Sequence, residues 1–348
     1  MQNLDHKINL LKKNISQMIQ PIESIHKLID IYIKILDFDK ALKLISECEK
    51  SFSNSRLKKQ KDIALQLKGD EKKQLKLSRF PILKSELRTL EESASKFVIG
   101  HISFDMRLDL SESKITTLGS CFATNLSESL KTNGIAVNHI RYSEEINSTL
   151  ANYEMLKWAY GQNISEELAA FFDKKFASSS KVQIKETIQE SDLVIFTLGV
   201  APCFFNKSTG EFSIPAEGGI KAWRNNYEFR NTSVEENIMA LEGITDLIKN
   251  ANSSTKLIFT LSPVPLKATL EDIPIFQADT VSKSILRVAL DRFIRITPNV
   301  MYWPSYEIVR SLGVYFENFY GSDDGRNRHV SNKIVDVIIK LFIKELSK

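Results

Sequence analysis

The chain has 348 residues and a net charge of +4, with 43% apolar and 26% charged side chains, which excludes a disordered, collagenous or disulfide-stapled protein and leaves room for two unequal domains. Basic and acidic residues are spread along it without a basic stripe, so nucleic acid is not an expected partner. Cys48, Cys121 and Cys203 show neither CxxC nor Cys/His ligand spacing, which argues against a disulfide framework and a zinc site and fits a reducing compartment.

The chain begins MQNLDHKINLLKK, without the apolar core of a secretory leader, and no stretch approaches the roughly 20 apolar residues of a membrane span. A cytoplasmic protein with no transmembrane segment is expected. From Leu4 to about Leu75 apolar residues recur every three or four positions, the signature of amphipathic helices joined by short turns. Within this region IHKLIDIYIKILDFDKALKLISECEK places Leu28, Tyr32, Leu36, Phe38, Ala41 and Leu44 where a tetratricopeptide-like helical hairpin has its contacts. Stable arrays need about three such units and only one is visible. A hairpin packed on the main domain is therefore expected, with a surface that recruits a protein partner as the alternative. The segment RLKKQKDIALQLKGDEKKQLKLSR reads as a solvated charged helix, or else as a basic surface for anionic groups. Pro81 and the loss of periodicity put the junction within residues 78–100, giving a helical region over 1–95 and a second domain over 96–348.

The rhythm of the second domain is different. KITTLGS, VNHIRY, DLVIFTLG, KLIFTLS and VMYWPS are short apolar runs, and helical stretches alternate with them. Continuous Val/Ile/Leu/Phe runs mark strands buried on both faces, and βαβα alternation implies a parallel sheet between helices. The expected fold class is α/β: a three-layer, doubly wound, five-stranded parallel sheet in flavodoxin-like order. Its site should lie at the carboxyl ends of the strands.

The first run ends in LGSCFATNL. Gly119 permits a tight strand-to-helix turn, and Ser120 is either a nucleophile facing the free N–H groups of the following helix or an ordinary N-cap. After the third run, Gly199 either lets backbone approach a substrate or relieves packing at a turn. After the fourth, TLSPVPLKAT reads as a proline-fixed loop that carries Ser262 to the same face. Near the end, FYGSDDGRNRHVSNK places His329 on a loop before the last helix, positioned to act as a general base toward Ser120 or simply exposed, with Asp323 and Asp324 just upstream.

These residues carry a resemblance to the GSCFA family, a branch of the SGNH/GDSL-type hydrolase superfamily. Gly119 to Ala123 spell the family's motif, and FTLGVAPCF, FTLSPVPLKAT, ADTVSKSILRVALDRF, YWPSYEIV and DDGRNRHVS look like its other blocks in order, over about residues 100–348. The resemblance implies Ser120 as nucleophile and His329 as general base and then acid. It also implies an oxyanion site from the N–H of Ser120 or Cys121 with Asn147, and a substrate-facing Gly199. Two departures stand out. The superfamily's third block continues Gly-x-Asn-Asp, but Val200, Ala201 and Pro202 follow Gly199. The usual Asp-x-x-His spacing falls on Arg326, so Asp324 is the expected orienting acid, with Asp323 or a Ser-His dyad as alternatives.

The function implied is acyl-ester chemistry without metal or organic cofactor. It would be an O-acetyl esterase or an acyltransferase acting on a small-molecule or glycan ester, such as a surface-polysaccharide precursor. The alternative is a binding or assembly protein whose SGNH-like domain has lost turnover. Cys121 either has a thiol activated at the helix start or merely packs.

Overall fold

The strand Leu193–Leu198 shows why the second part of the chain folds as it does. Leu193 and Ile195 pack into one apolar cluster while Val194, Phe196 and Leu198 pack into another, so successive side chains serve opposite faces of one sheet. The computed structural model describes every residue except 1, 19, 35–36, 52–53, 55, 59, 62–63, 66–78, 101, 103–105, 120, 177, 216–218, 298 and 348. The chain divides into two compact units, Met1–Ser78 and Arg79–Lys348.

In the first unit α1 (Gln2–Ser16), α2 (Pro21–Lys34) and α3 (Phe38–Glu49) pack in sequence, α1 on α2 and α2 on α3. Leu28, Tyr32 and Ala41 are buried with Leu44 against them, and Ala41 is fully covered. Leu36 and most of the lysine-rich segment, 66–78, lie outside the described residues.

The second unit begins earlier than the expected 95/96 boundary. A short helix α4 (Leu90–Ala94) leads into a π-turn over Ser95–Ile99, and Ala94 and Ile99 are buried in the same cluster as the last helix. Those contacts, invisible in a polar stretch of sequence, place residues 79–95 with the sheet.

The five expected strands all form: β1 (Ile115–Gly119), β2 (Val137–Arg141), β3 (Leu193–Leu198), β7 (Lys256–Leu261) and β8 (Val300–Trp303). They make one parallel sheet in the order β2-β1-β3-β7-β8, the doubly wound arrangement expected. One face is covered by α6 (Thr149–Ala159), α7 (Glu166–Lys175), α8 (Ser178–Gln189), α10 (Val234–Ala251) and α11 (Ile275–Ile296); the other by α5 (Cys121–Thr132) and α12 (Asn332–Leu346). Phe259 meets Phe293 of α11 on the first face, and Trp303 meets Phe342 of α12 on the second, both edge to face.

One element was not expected. Between β3 and α10 the chain makes a three-stranded antiparallel sheet of β4 (Pro202–Asn206), β5 (Phe212–Ser213) and β6 (Tyr227–Asn231), ordered β5-β4-β6, with α9 (Gly219–Asn226) inside it.

Candidate active site

Ser120 lies outside the described residues; the site is therefore built from the other groups at the carboxyl edge of the sheet. β1 ends at Gly119, whose φ is +153°, and a Cβ there would lie 2.6 Å from the Cβ of Ala123. Only glycine fits this strand end. Cys121, half-buried with a free thiol, opens α5, and the first turn of a helix presents unpaired N–H groups that favour an anion.

The loop after β2 is fixed from within. Asn152, fully buried on α6, donates to Ile146 O at 2.8 Å and to Ser148 O at 2.7 Å, and accepts from the Tyr142 hydroxyl. Ser148 caps α6 through the Ala151 N–H. This scaffold holds Asn147, which is buried yet has no hydrogen-bond partner on Oδ1 among the described residues. A buried, open amide of this kind is costly unless something else uses it.

Gly199 packs directly against the Asn147 amide. A Cβ there would sit 1.8 Å from Asn147 Nδ2, so the missing side chain makes room for that amide. Its N–H is spent on Asn147 O at 2.8 Å, and its carbonyl accepts from Lys283 Nζ at 2.6 Å. Gly199 thus seats Asn147 and offers no free backbone donor to a substrate.

Sequence reading missed a polar face of α11. Asp279, Ser282 and Lys283, at i, i+3 and i+4, are all buried. Asp279 accepts from the Leu266 N–H at 2.9 Å and from Arg310 at 2.7 Å, Ser282 accepts from the Ala201 N–H at 3.0 Å, and Lys283 donates to Gly199 O and, at 2.9 Å, to Ser262 O. One helix face thereby holds the loops after β3 and after β7. Burial, opposed by Asp279 and assisted by Arg310 and Arg328, pushes the Lys283 ammonium down to about 7.

The loop carrying His329 is anchored to the same edge. Tyr320 donates to Pro263 O at 3.1 Å, and Arg328 donates to Pro265 O and to Glu144 at 3.1 Å. On this loop His329 Nδ1 lies 2.6 Å from Asp324 Oδ2. The Arg326 N–H, at 2.9 Å from the other oxygen, is the main cause that holds the Asp324 carboxyl below its ordinary range, with the His329 ring adding to it. Arg326 thus supports Asp324 through its backbone N–H. Asp323 is used elsewhere: it accepts from the Asn332 N–H at 2.6 Å and caps α12.

The other histidines with described ring contacts are fully engaged. His26 uses both nitrogens on Gln60 and Asn54, and His139 uses both on Thr117 and Thr124. Only Nδ1 of His329 has a partner among the described residues, which leaves Nε2 for proton transfer.

A cleft of ≈ 1030 Å³ is lined by Glu144 and Ser148 after β2, Val200 after β3, Leu266 to Ala268 after β7, part of α7, and the β4-β5-β6 insert.

The model of the GSCFA family matches residues 174–342, just under half of the chain and downstream of the pentapeptide at 119–123. No curated protein matches the chain. Among solved structures it is similar to a salicylyl-acyltransferase from a tetracycline biosynthetic pathway, with 11% identity and a TM-score of 0.36 over 67% of this chain and 53% of that one. It is also similar to an acetyl esterase mutant with acetate ion, at 15% identity and a TM-score of 0.36 over 67% of this chain and 96% of that one. A third is an acetyl xylan esterase from the rumen bacterium Butyrivibrio proteoclasticus, at 10% identity and a TM-score of 0.35 over 68% and 63%. The alignment thus spans about half the length of the acyltransferase.

Proposed function

We propose that the second unit is a cofactor-independent, serine-dependent acyl-ester enzyme of the GSCFA type within the SGNH/GDSL-type superfamily. The observation that carries this reading is the His329–Asp324 pair on a loop tied to the carboxyl edge of the sheet, in a chain whose first strand runs into Gly119-Ser120-Cys121. Nε2 of His329 takes the proton of the Ser120 hydroxyl as Oγ bonds to the ester carbonyl carbon, and Asp324 balances the charge formed on the ring. The oxyanion is held by the N–H groups that open α5, with the Asn147 amide beside them. The imidazolium then gives its proton to the departing alkoxide as the C–O bond breaks. Water resolves the acyl-enzyme in a hydrolase, and a second hydroxyl does so in a transferase. A carbohydrate hydroxyl is the proposed alcohol.

Turnover of p-nitrophenyl acetate, and acyl transfer from it to added sugars, test the proposal. Ser120→Ala and His329→Ala should each lower the rate at least about a thousandfold in a folded protein. A folded wild type with neither hydrolysis nor transfer would replace the proposal with the binding-protein alternative.

A further inference from the structure

We infer that the cleft seats an uncharged, apolar acyl group of aromatic or medium-chain size. Its assignment to the acyl side rests on the acyl-ester reading above; its apolar character does not. At ≈ 1030 Å³ the cleft has the size of a pocket for a small organic ligand, far more than a two-carbon acetyl group fills. Phe171 of α7, Phe204 of β4, Phe212 of β5, Trp223 of α9 and Phe229 of β6 line it, and each is only half-buried. Aromatic surface left open by several elements around one concavity is the mark of a ligand groove, because covering it removes apolar area from water. Phe204 lies 4.9 Å from Phe229 and 5.6 Å from Trp223 between ring centroids, at angles of 57° and 68°. Rings interlocked at such angles form an apolar slot, not a flat platform for a sugar face.

Charged side chains of both signs border the cleft, in water or already engaged. Lys174, Lys175 and Lys267 are exposed, and the first two have interactions of their own. Glu144 is paired with Arg328, and Glu167 accepts from the Tyr227 hydroxyl. An uncharged apolar group asks nothing of them. The cleft shares its loops with the candidate catalytic edge. Ser148 and Val200 directly follow Asn147 and Gly199, and Arg328, the partner of Glu144, directly precedes His329.

The uncharged fluorescent probe N-phenyl-1-naphthylamine tests the inference on the full-length chain. It should bind saturably at one site, and ethyl octanoate should displace it while xylobiose should not. Ala170 lines the cleft from an exposed position on α7, so Ala170→Trp fills the slot without disturbing the core and should weaken the probe at least about tenfold. Phe204→Ala should weaken it as well. In turnover, kcat/KM for p-nitrophenyl octanoate should exceed that for p-nitrophenyl acetate at least about tenfold, and Ala170→Trp should bring the ratio close to one. No saturable binding, binding indifferent to Ala170→Trp, displacement by xylobiose, or a preference for acetate over octanoate would overturn the inference. Probe binding without any Ser120-dependent chemistry leaves the apolar pocket standing and removes the acyl-ester reading. Ser120-dependent turnover without probe binding does the reverse.

Discussion

Lys283→Met tests the idea that one face of α11 sets the two loops of the site. Methionine nearly matches the lysine stem in length and volume, so the change leaves little cavity. What it removes is the donor to Gly199 O and Ser262 O, in a place where Lys283 is 1% exposed. Two buried carbonyls lose their partner, at about 1–3 kcal/mol each. The wild type carries an opposing cost, because burial lowers the Lys283 pKa from 10.5 to about 7. Between those two values the unfolded chain binds the proton and the folded chain does not, so the contribution of this group to stability rises with pH. Below pH 7 both states hold the proton and the burial cost is present in full. A neutral amine still has two N–H donors for the two carbonyls. Methionine has no such dependence. The stability gap between wild type and K283M should therefore widen with pH, by about 2–3 kcal/mol between pH 6.5 and 9. All three tryptophans, Trp158, Trp223 and Trp303, belong to the second unit, so urea unfolding followed by tryptophan fluorescence reads that unit. A gap that stays constant or narrows as pH rises would refute the reasoning.

Other outcomes separate the roles of neighbouring residues. Asp324→Asn should lower kcat by about 10²–10⁴ with KM and melting temperature little changed, as expected of a residue that orients a histidine. Asp323→Ala should do the opposite, costing about 1 kcal/mol of stability through the α12 cap and leaving kcat near wild type; steady-state kinetics and thermal melts on both variants decide the assignment. Gly199→Ala should destabilise by about 1–3 kcal/mol because its Cβ meets the Asn147 amide. Adding Asn147→Ala should restore stability in urea melts but not turnover. Iodoacetamide at pH 8 should alkylate Cys121 before Cys203, whose thiol is buried and pushed up to about 12, and the Cys121 adduct should suppress turnover.

The sheet was legible in the sequence because its strands are buried on both faces. Runs such as Leu193–Leu198 and Lys256–Leu261 carry almost no polar interruption, and the turn at Gly119 is fixed by steric need. The antiparallel insert was not read. β4 is a short run behind Gly199-Val200-Ala201 that looks like loop, and β5 has two residues. The alternation Tyr-Glu-Phe-Arg-Asn in β6 was the signal that could have revealed a half-exposed strand. The polar face of α11 was hidden for another reason. Asp, Ser and Lys at i, i+3 and i+4 read as a solvated stripe, and only the loops folded over them make them interior. Within the candidate site, loop position singled out His329 with Asp323 and Asp324 upstream, and the choice of Asp324 came from the family resemblance. Which of the two adjacent aspartates faces the ring depended on the capping of α12, which spacing does not encode.

The most direct measurement of the central claim is covalent. The full-length protein, His329→Ala and Ser120→Ala are treated with a fluorophosphonate, and the adduct is located by peptide mass spectrometry. A stoichiometric phosphonyl group on Ser120 of the wild type, lost in both variants while their folds persist, is the result the account requires. A folded wild type that takes no label at Ser120, or one that labels equally well without His329, would contradict it.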